Sequence, residues 1–347
     1  MSHLPYAQRA IERIRYLDGW RGFAILAVMF AHFITSKHLN FGRLGVELFF
    51  VLSGRLMAEI LFVRNTPLSA FFPRRISRVY PALFVFLSLM LMAGLVLGIG
   101  DMNISGYVTS VSFAFNYSQI WMGRPAVLGH VWSLCVEEHM YIVLGVVAFI
   151  HRKRPLPIIK LLIFFSVVSI AIGAIQTAMG MSYYEVYWRT DVRGGSILIG
   201  AIAYLSTRNF DFNIIPPWLP LASGVLAVLL SMDVVPDPVK YSLGTALLAI
   251  SLISMPRAPK FALVVLEHPL VLRIGIWSYS MYLWQQPFGK LANSTTERVM
   301  SLPLVFLATI LSYYFVERPA RAIINAWVER RRASLYDQTG SIGRALL

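Results

Sequence analysis

The stretch Val79–Ile99 reads VYPALFVFLSLMLMAGLVLGI, without one charged side chain and without alternation of apolar and polar residues. About 20 apolar residues coiled as a helix match the ~30 Å hydrocarbon core of a bilayer. A barrel strand would instead alternate with a period of two. A helix satisfies its own backbone amides, as lipid demands, so this stretch predicts a transmembrane helix. Working outward on the same criterion places further spans near 17–36, 44–63, 129–150, 157–178, 192–207, 217–232, 240–255, 271–289 and 300–318. The expected fold is all-α, a polytopic membrane protein with about ten transmembrane helices.

Composition agrees. Of 347 residues, 57% are hydrophobic and only 14% charged, against roughly 25% charged in soluble domains. The mean hydropathy is +0.64. A net charge of +14, from 31 Lys and Arg against 17 Asp and Glu, would suggest nucleic acid in a soluble chain. In a membrane protein basic residues mark cytoplasmic loops, and no nucleic-acid partner is expected. With the N-terminus inside, about 22 Lys and Arg fall on the cytoplasmic side and about 8 outside, leaving Arg55 within the membrane. Both termini are therefore expected in the cytoplasm of a bacterial inner (plasma) membrane protein. The single Cys135 excludes an internal disulfide and a CxxC metal set.

Three segments are expected: a basic cytoplasmic piece 1–16 with Arg9, Arg13 and Arg15, a membrane-embedded domain 17–325, and a basic cytoplasmic tail 326–347. The first apolar run lacks an A-x-A cleavage site and reads as an uncleaved signal anchor. Between Asp101 and Gly129 a semi-polar stretch with Tyr107, Phe113, Phe115, Tyr117, Trp121 and Met122 suits an interfacial or re-entrant segment on the outer face.

Ionisable groups inside spans are expensive and point to function. Arg21 and His32 lie in the first span. Their separation of eleven positions amounts to three helical turns plus about 20°, so they share a face about 16 Å apart. Glu47 and Arg55 occupy the second span about 80° apart, where a structural ion pair is as good a reading as catalysis. Ser53 lacks a G-x-S-x-G elbow and reads as packing beside Gly54. Arg75 and Arg78, three apart before the third span, form a geometry that can clamp phosphates or carboxylates. The fourth span opens Gly129-His130-Val131-Trp132-Ser133-Leu134-Cys135-Val136-Glu137-Glu138-His139-Met140-Tyr141. Its adjacent carboxylates are the costliest constellation in the chain. His130 and His139 point opposite ways and no HExxH occurs, so no metal is expected. A carboxylate here that positions a histidine base such as His32 is the economical arrangement, and an ion pair with Arg55 or Arg43 is the bland one.

Taken together, these segments resemble acyltransferase family 3. That group contains bacterial O-acetyltransferases of lipopolysaccharide, exopolysaccharide and nodulation factors, and macrolide acyltransferases. Leu17-Asp18-Gly19-Trp20-Arg21-Gly22 resembles its L-D-G-x-R-G opening, and Arg21 to His32 its arginine, ten residues, histidine spacing. Gly45–Gly54 resembles G-V-D-L-F-F-V-L-S-G, Arg75–Arg78 the R-x-x-R motif, and His130–Tyr141 the W-S-L-x-V-E-E-Q-F-Y segment. Tyr279–Pro287 resembles Y-S-x-Y-L-W-H-Q-P, and Phe315–Pro319 the F-x-E-[KR]-P ending. Departures are Gln285 for histidine, His139 for Gln, Glu47 for Asp and Arg55 for an apolar residue. No appended hydrolase-like domain is expected after the last span.

The resemblance implies transfer of an acyl group, acetyl first, from acyl-CoA to a hydroxyl of a carbohydrate or glycolipid. Arg21, Arg75 and Arg78 are then the candidates to bind the phosphates of acetyl-CoA, a co-substrate rather than a resident cofactor. His32 is the candidate general base, with Glu137 or Glu138 holding its tautomer. Trp132, Tyr141, Glu47 and Gln285 are candidate substrate contacts. Transfer is expected to be direct, since no activated Ser or Cys is evident. Acylation of a macrolide or other small molecule is the alternative, and a transporter is the rival from another class.

Overall fold

Apolar runs too long for a soluble core coil into helices, and the computed structural model, which describes residues 14–34, 38–121 and 125–345, is helical throughout its regular structure. Its helices are α1 (Arg15–Phe33), α2 (Phe41–Ala58), α3 (Leu68–Leu97), α4 (Ile104–Val111), α5 (Phe115–Trp121), α6 (Val131–Lys153), α7 (Ile158–Ala178) and α8 (Tyr183–Tyr187). There follow α9 (Thr190–Ser206), α10 (Leu219–Leu230), α11 (Asp237–Val239), α12 (Thr245–Ser254), α13 (Lys260–Leu266), α14 (Pro269–Leu291), α15 (Thr295–Leu311) and α16 (Arg318–Ala345). The basic residues Arg9 and Arg13, and Lys37, Met122 and Arg124, lie outside the described residues.

Every stretch expected to span carries a helix, yet the helices are not equally suited to crossing. Among the described residues five are long and apolar enough, or six if the bent pair of α13 and α14 counts as one span. The others fall short for visible reasons. Helix α10 has 12 residues, about 18 Å at 1.5 Å per residue, against ~30 Å of hydrocarbon. Helix α9 has 17, and α1 and α2 carry the charges Asp18, Arg21, Arg43, Glu47 and Arg55 that lower their hydropathy. Helices α1, α2 and α9 are instead largely buried by their neighbours, whereas α10 keeps Val225, Leu226 and Leu229 exposed.

Close approach at glycines shows how they pack. A Cβ on Gly275 would stand 1.9 Å from the Asp18 carbonyl oxygen, and one on Gly22 2.5 Å from that of Val271. Helices α1 and α14 thus run side by side in the same direction, which carries His32 to the level of Gly289. Gly54 likewise abuts the Ile197 carbonyl and Gly200 that of Val51, and Glu47 pairs with Arg193 while Arg55 lies over the Tyr204 ring, so α2 and α9 also run parallel. Gly45 against Ala24, with Gly42 against Ala31, makes α1 and α2 antiparallel, and Gly173 against Val192 does so for α7 and α9. Small residues let backbones meet where lipid supplies no hydrophobic drive for association. A Cβ on Gly54 would lie only 1.9 Å from the Ile197 oxygen, so Gly54→Leu should pry α2 from α9. The expected loss is about 1–3 kcal/mol or more, read as a lower unfolding midpoint in detergent, with Gly54→Ala less affected. Equal stability of Gly54→Leu and wild type would refute this packing.

The segment from Asp101 to Gly129 forms α4, α5 and a 3₁₀ turn at Ala126–Leu128. It packs inward through Phe115, Asn116, Val127 and Leu128, which are buried. Helix α16 continues unbroken past Ala326 and its Glu329 pairs with Arg74 of α3, tying the start of the tail to the bundle.

Candidate active site

The helices α1, α2, α3, α6 and α14 enclose a pocket with about 720 Å³ of unfilled space, part of it open to solvent. Its wall includes Arg21, Arg75, Arg78, Ser53, Glu137, Tyr141, Ser133 and Tyr282. Three guanidiniums from two helices therefore face one hollow; spacing had placed Arg75 and Arg78 on one face, and the resemblance had grouped Arg21 with them. Arg21 is held by Asp18 one turn earlier at 2.7 Å. Arg75 rests over the ring of Tyr141, 5.1 Å from its centroid. Among the described residues no carboxylate lies within 4.0 Å of Arg75 or Arg78. Arg75 and Arg78, two like charges with no carboxylate at ion-pair distance in a partly desolvated pocket, favour an anionic ligand.

Glu137 is reached by two donors, Ser53 Oγ at 2.9 Å and Tyr141 Oη at 2.9 Å. Both come from the pocket wall, and Tyr141 Oη also lies 3.3 Å from Ser53 Oγ. Ser53 thus belongs to the site rather than to packing alone. Nothing in its local sequence signals this, because its partner is 84 residues away. Glu138, next along α6, is half-buried and within electrostatic reach of Arg75 and Arg78.

Neither carboxylate holds His32. The imidazole Nδ1 is hydrogen-bonded to Oε1 of Gln285, a residue buried on α14. Gln285 Nε2 donates to the Tyr282 carbonyl at 3.4 Å, which turns Oε1 toward the ring. Nδ1 then carries the proton and Nε2 is the acceptor, the tautomer a general base requires. His32 does not line the pocket that Arg21 lines; it is linked to it through Gln285, which donates to the carbonyl of Tyr282, a wall residue whose hydroxyl oxygen lies 2.6 Å from that of Ser133.

The remaining candidates separate. Glu47 pairs with Arg193 of α9 and accepts from Thr245 Oγ1 at 2.8 Å, away from the pocket. Arg193 is fully buried, its guanidinium 3.7 Å from the Tyr241 ring centroid. This is the structural alternative for Glu47, with a partner that spacing could not name. Arg55 pairs with Glu59 in its own helix at 2.8 Å and Arg43 with Asp237 at 3.1 Å, so neither serves Glu137. Trp132 is buried in an aromatic stack, 4.7 Å from Tyr187 and 6.4 Å from Trp188 between centroids. His139 contacts Thr190 Oγ1 at 2.8 Å, on another face of α6 from the pocket. Among the described residues no three His, Cys, Asp or Glu side chains are grouped to hold a metal ion.

Membrane-length helices around a cation-lined internal pocket, with a base-competent imidazole one layer beyond, define an integral-membrane protein with an enclosed polar site. The sequence profile described as an acyltransferase domain matches residues 14–316, and the chain belongs to that family, acyltransferase family 3. It is 27% identical over 344 residues to the O-acetyltransferase OatA of Staphylococcus aureus, covering 88% of this chain and 57% of the relative. Identity is 27% over 353 residues to the peptidoglycan O-acetyltransferase OatA of Listeria monocytogenes, covering 88% and 55%. It is 28% over 349 residues to the putative peptidoglycan O-acetyltransferase YrhL of Bacillus subtilis, covering 88% and 54%. The chain spans little more than half the length of these relatives. No solved structure matches it.

Proposed function

We propose that this chain transfers an acyl group, acetyl first, from acyl-CoA entering on the cytoplasmic side to a hydroxyl of a cell-surface carbohydrate. Peptidoglycan, which the names of two relatives print, is the first acceptor to try. The observation that carries the reading is the pocket in which Arg21, Arg75 and Arg78 face one hollow leading toward Ser133 and Tyr282. Coenzyme A carries three phosphates on a thin pantetheine arm, so guanidinium forks suit its head and a narrow interhelical passage suits its arm. In this reading the chain makes ten passes with both termini in the cytoplasm of a bacterial inner membrane; the antiparallel packing of α1 on α2 and of α7 on α9 fits successive passes, and the excess of Lys and Arg on one side sets the orientation. The charged passes α1, α2 and α9 are surrounded by neighbouring helices rather than lipid, which makes their charges tolerable.

In this scheme the donor's phosphates sit at Arg75 and Arg78 and its thioester reaches past Tyr282. Nε2 of His32 takes the proton of the acceptor hydroxyl as it attacks, and Gln285 keeps the ring in the accepting tautomer. Glu137, fixed by Ser53 and Tyr141, sets the field around the arginines and the arm. Removing one charge-assisted bond to a phosphate costs roughly 1.5–3 kcal/mol. Arg75→Ala or Arg78→Ala should therefore raise KM for acetyl-CoA about 10- to 100-fold. The measurement is transfer of label from acetyl-CoA to glycans in membranes containing the protein. Unchanged KM in both variants would remove the donor from this pocket, and no labelled glycan with wild-type protein would remove the reading itself.

A further inference from the structure

His130 directly precedes α6 and is 4% exposed, yet neither ring nitrogen has a hydrogen-bond partner among the described residues. The rings of Phe86 and Tyr282 flank it at 5.6 and 5.3 Å between centroids. An unmet buried donor or acceptor costs roughly 1–3 kcal/mol, and a leucine or phenylalanine would fill the same apolar niche without that cost. A polar ring kept there unbonded has a task that packing does not explain.

Its surroundings indicate the task. Tyr282 Oη donates to the His130 carbonyl at 3.0 Å while Ser133 and Tyr282 themselves line the cation-bearing pocket. The Tyr282 carbonyl orients Gln285, and Gln285 orients His32. The imidazoles of His130 and His32 are close enough to interact electrostatically. His130 therefore packs against Tyr282 of the pocket wall and lies within electrostatic range of the base, the two places that a bound acyl thioester anchored at Arg75 and Arg78 would have to join.

We propose that His130 is a catalytic residue whose ring N–H donates a hydrogen bond to the acyl carbonyl oxygen and stabilises the oxyanion formed on it. The inference rests on the acyl-transfer reading. The acceptor oxygen attacks the carbonyl carbon of the thioester, forming a C–O bond, and its proton passes to Nε2 of His32. The C=O π electrons move to oxygen, where His130 meets the charge. They then return, the C–S bond breaks, and the leaving thiolate takes the proton from His32, yielding an ester and free CoA thiol. A neutral donor in a water-poor site is preorganised and has greater effect there than in water.

The test compares His130→Leu and His130→Gln with wild type in nanodiscs, using labelled acetyl-CoA with purified peptidoglycan fragments and, separately, with water as acceptor. For His130→Leu, kcat should fall roughly 10²- to 10³-fold, as for loss of one oxyanion donor. Its KM for acetyl-CoA should stay within about threefold, and its unfolding midpoint should equal or exceed that of wild type. His130→Gln retains an N–H and should recover at least about tenfold of the loss. Wild-type kcat in His130→Leu overturns the proposal. So does a loss of activity matched by lowered stability in both variants, which is the signature of a packing role. A wild-type protein that neither transfers nor hydrolyses acetyl-CoA fails at the earlier step, and the acyl-transfer reading falls with the inference.

Discussion

His32→Ala should lower acyl transfer roughly 10²- to 10⁴-fold, the contribution of a positioned general base, while the protein still inserts and folds. The expectation follows from the bond between Nδ1 and Gln285, which leaves Nε2 as the proton acceptor. Alanine also strands Oε1 of the fully buried Gln285, at about 1–3 kcal/mol. His32→Gln, which can still meet Gln285 but cannot titrate near neutrality, separates the two effects. It should regain stability and stay inactive. Measured as initial rates at saturating acetyl-CoA beside unfolding curves, transfer within tenfold of wild type in His32→Gln would place the base elsewhere.

Glu47→Ala should be the most destabilising single change within the bundle. It removes the carboxylate that pairs with Arg193, a guanidinium with no solvent exposure. Leaving a buried charge uncompensated costs about 3–5 kcal/mol, whereas replacing both partners by apolar residues of similar size is often neutral. The double variant Glu47→Leu, Arg193→Met should therefore recover most of the deficit, and the cycle should show strong coupling. Additive losses in the double variant would mean that the pair is not one unit. Because the pair lies between α2 and α9 and outside the pocket, residual folded Glu47→Ala protein should keep its KM for acetyl-CoA.

Much of the architecture was readable before any coordinates. Helices stand at all the stretches chosen from hydropathy, since a lipid-crossing backbone has few options and each helix satisfies its own amides. What hydropathy alone misjudged was the uniformity of the spans: α1, α2 and α9 are covered by neighbours, and α10 is only 12 residues long. Of the candidate site, the arginines Arg21, Arg75 and Arg78, grouped by the resemblance, line one pocket, and Glu137, expected to hold His32, lines it with them instead. His32 lies a layer away, with an amide for its partner where a carboxylate had been expected.

The residues that escaped share a property. Ser53 finds Glu137 across 84 residues, His32 finds Gln285 across 253, and Glu47 is joined to Thr245 across 198. Periodicity reports which face of its own helix a side chain occupies, and it is silent on what the opposing helix presents.

By itself the amino-acid order determined that the chain is a bundle of long apolar helices, which of its residues are too costly to bury idle, and that Arg75 and Arg78 share one helix face. Only tertiary structure decided which carboxylate is structural, which amide fixes the imidazole, and which histidine was left unbonded. The division has a physical cause. Hydrophobic length and local charge act along one helix, whereas a hydrogen bond forms within about 3 Å and depends on how glycines such as Gly22, Gly54 and Gly275 let distant helices touch.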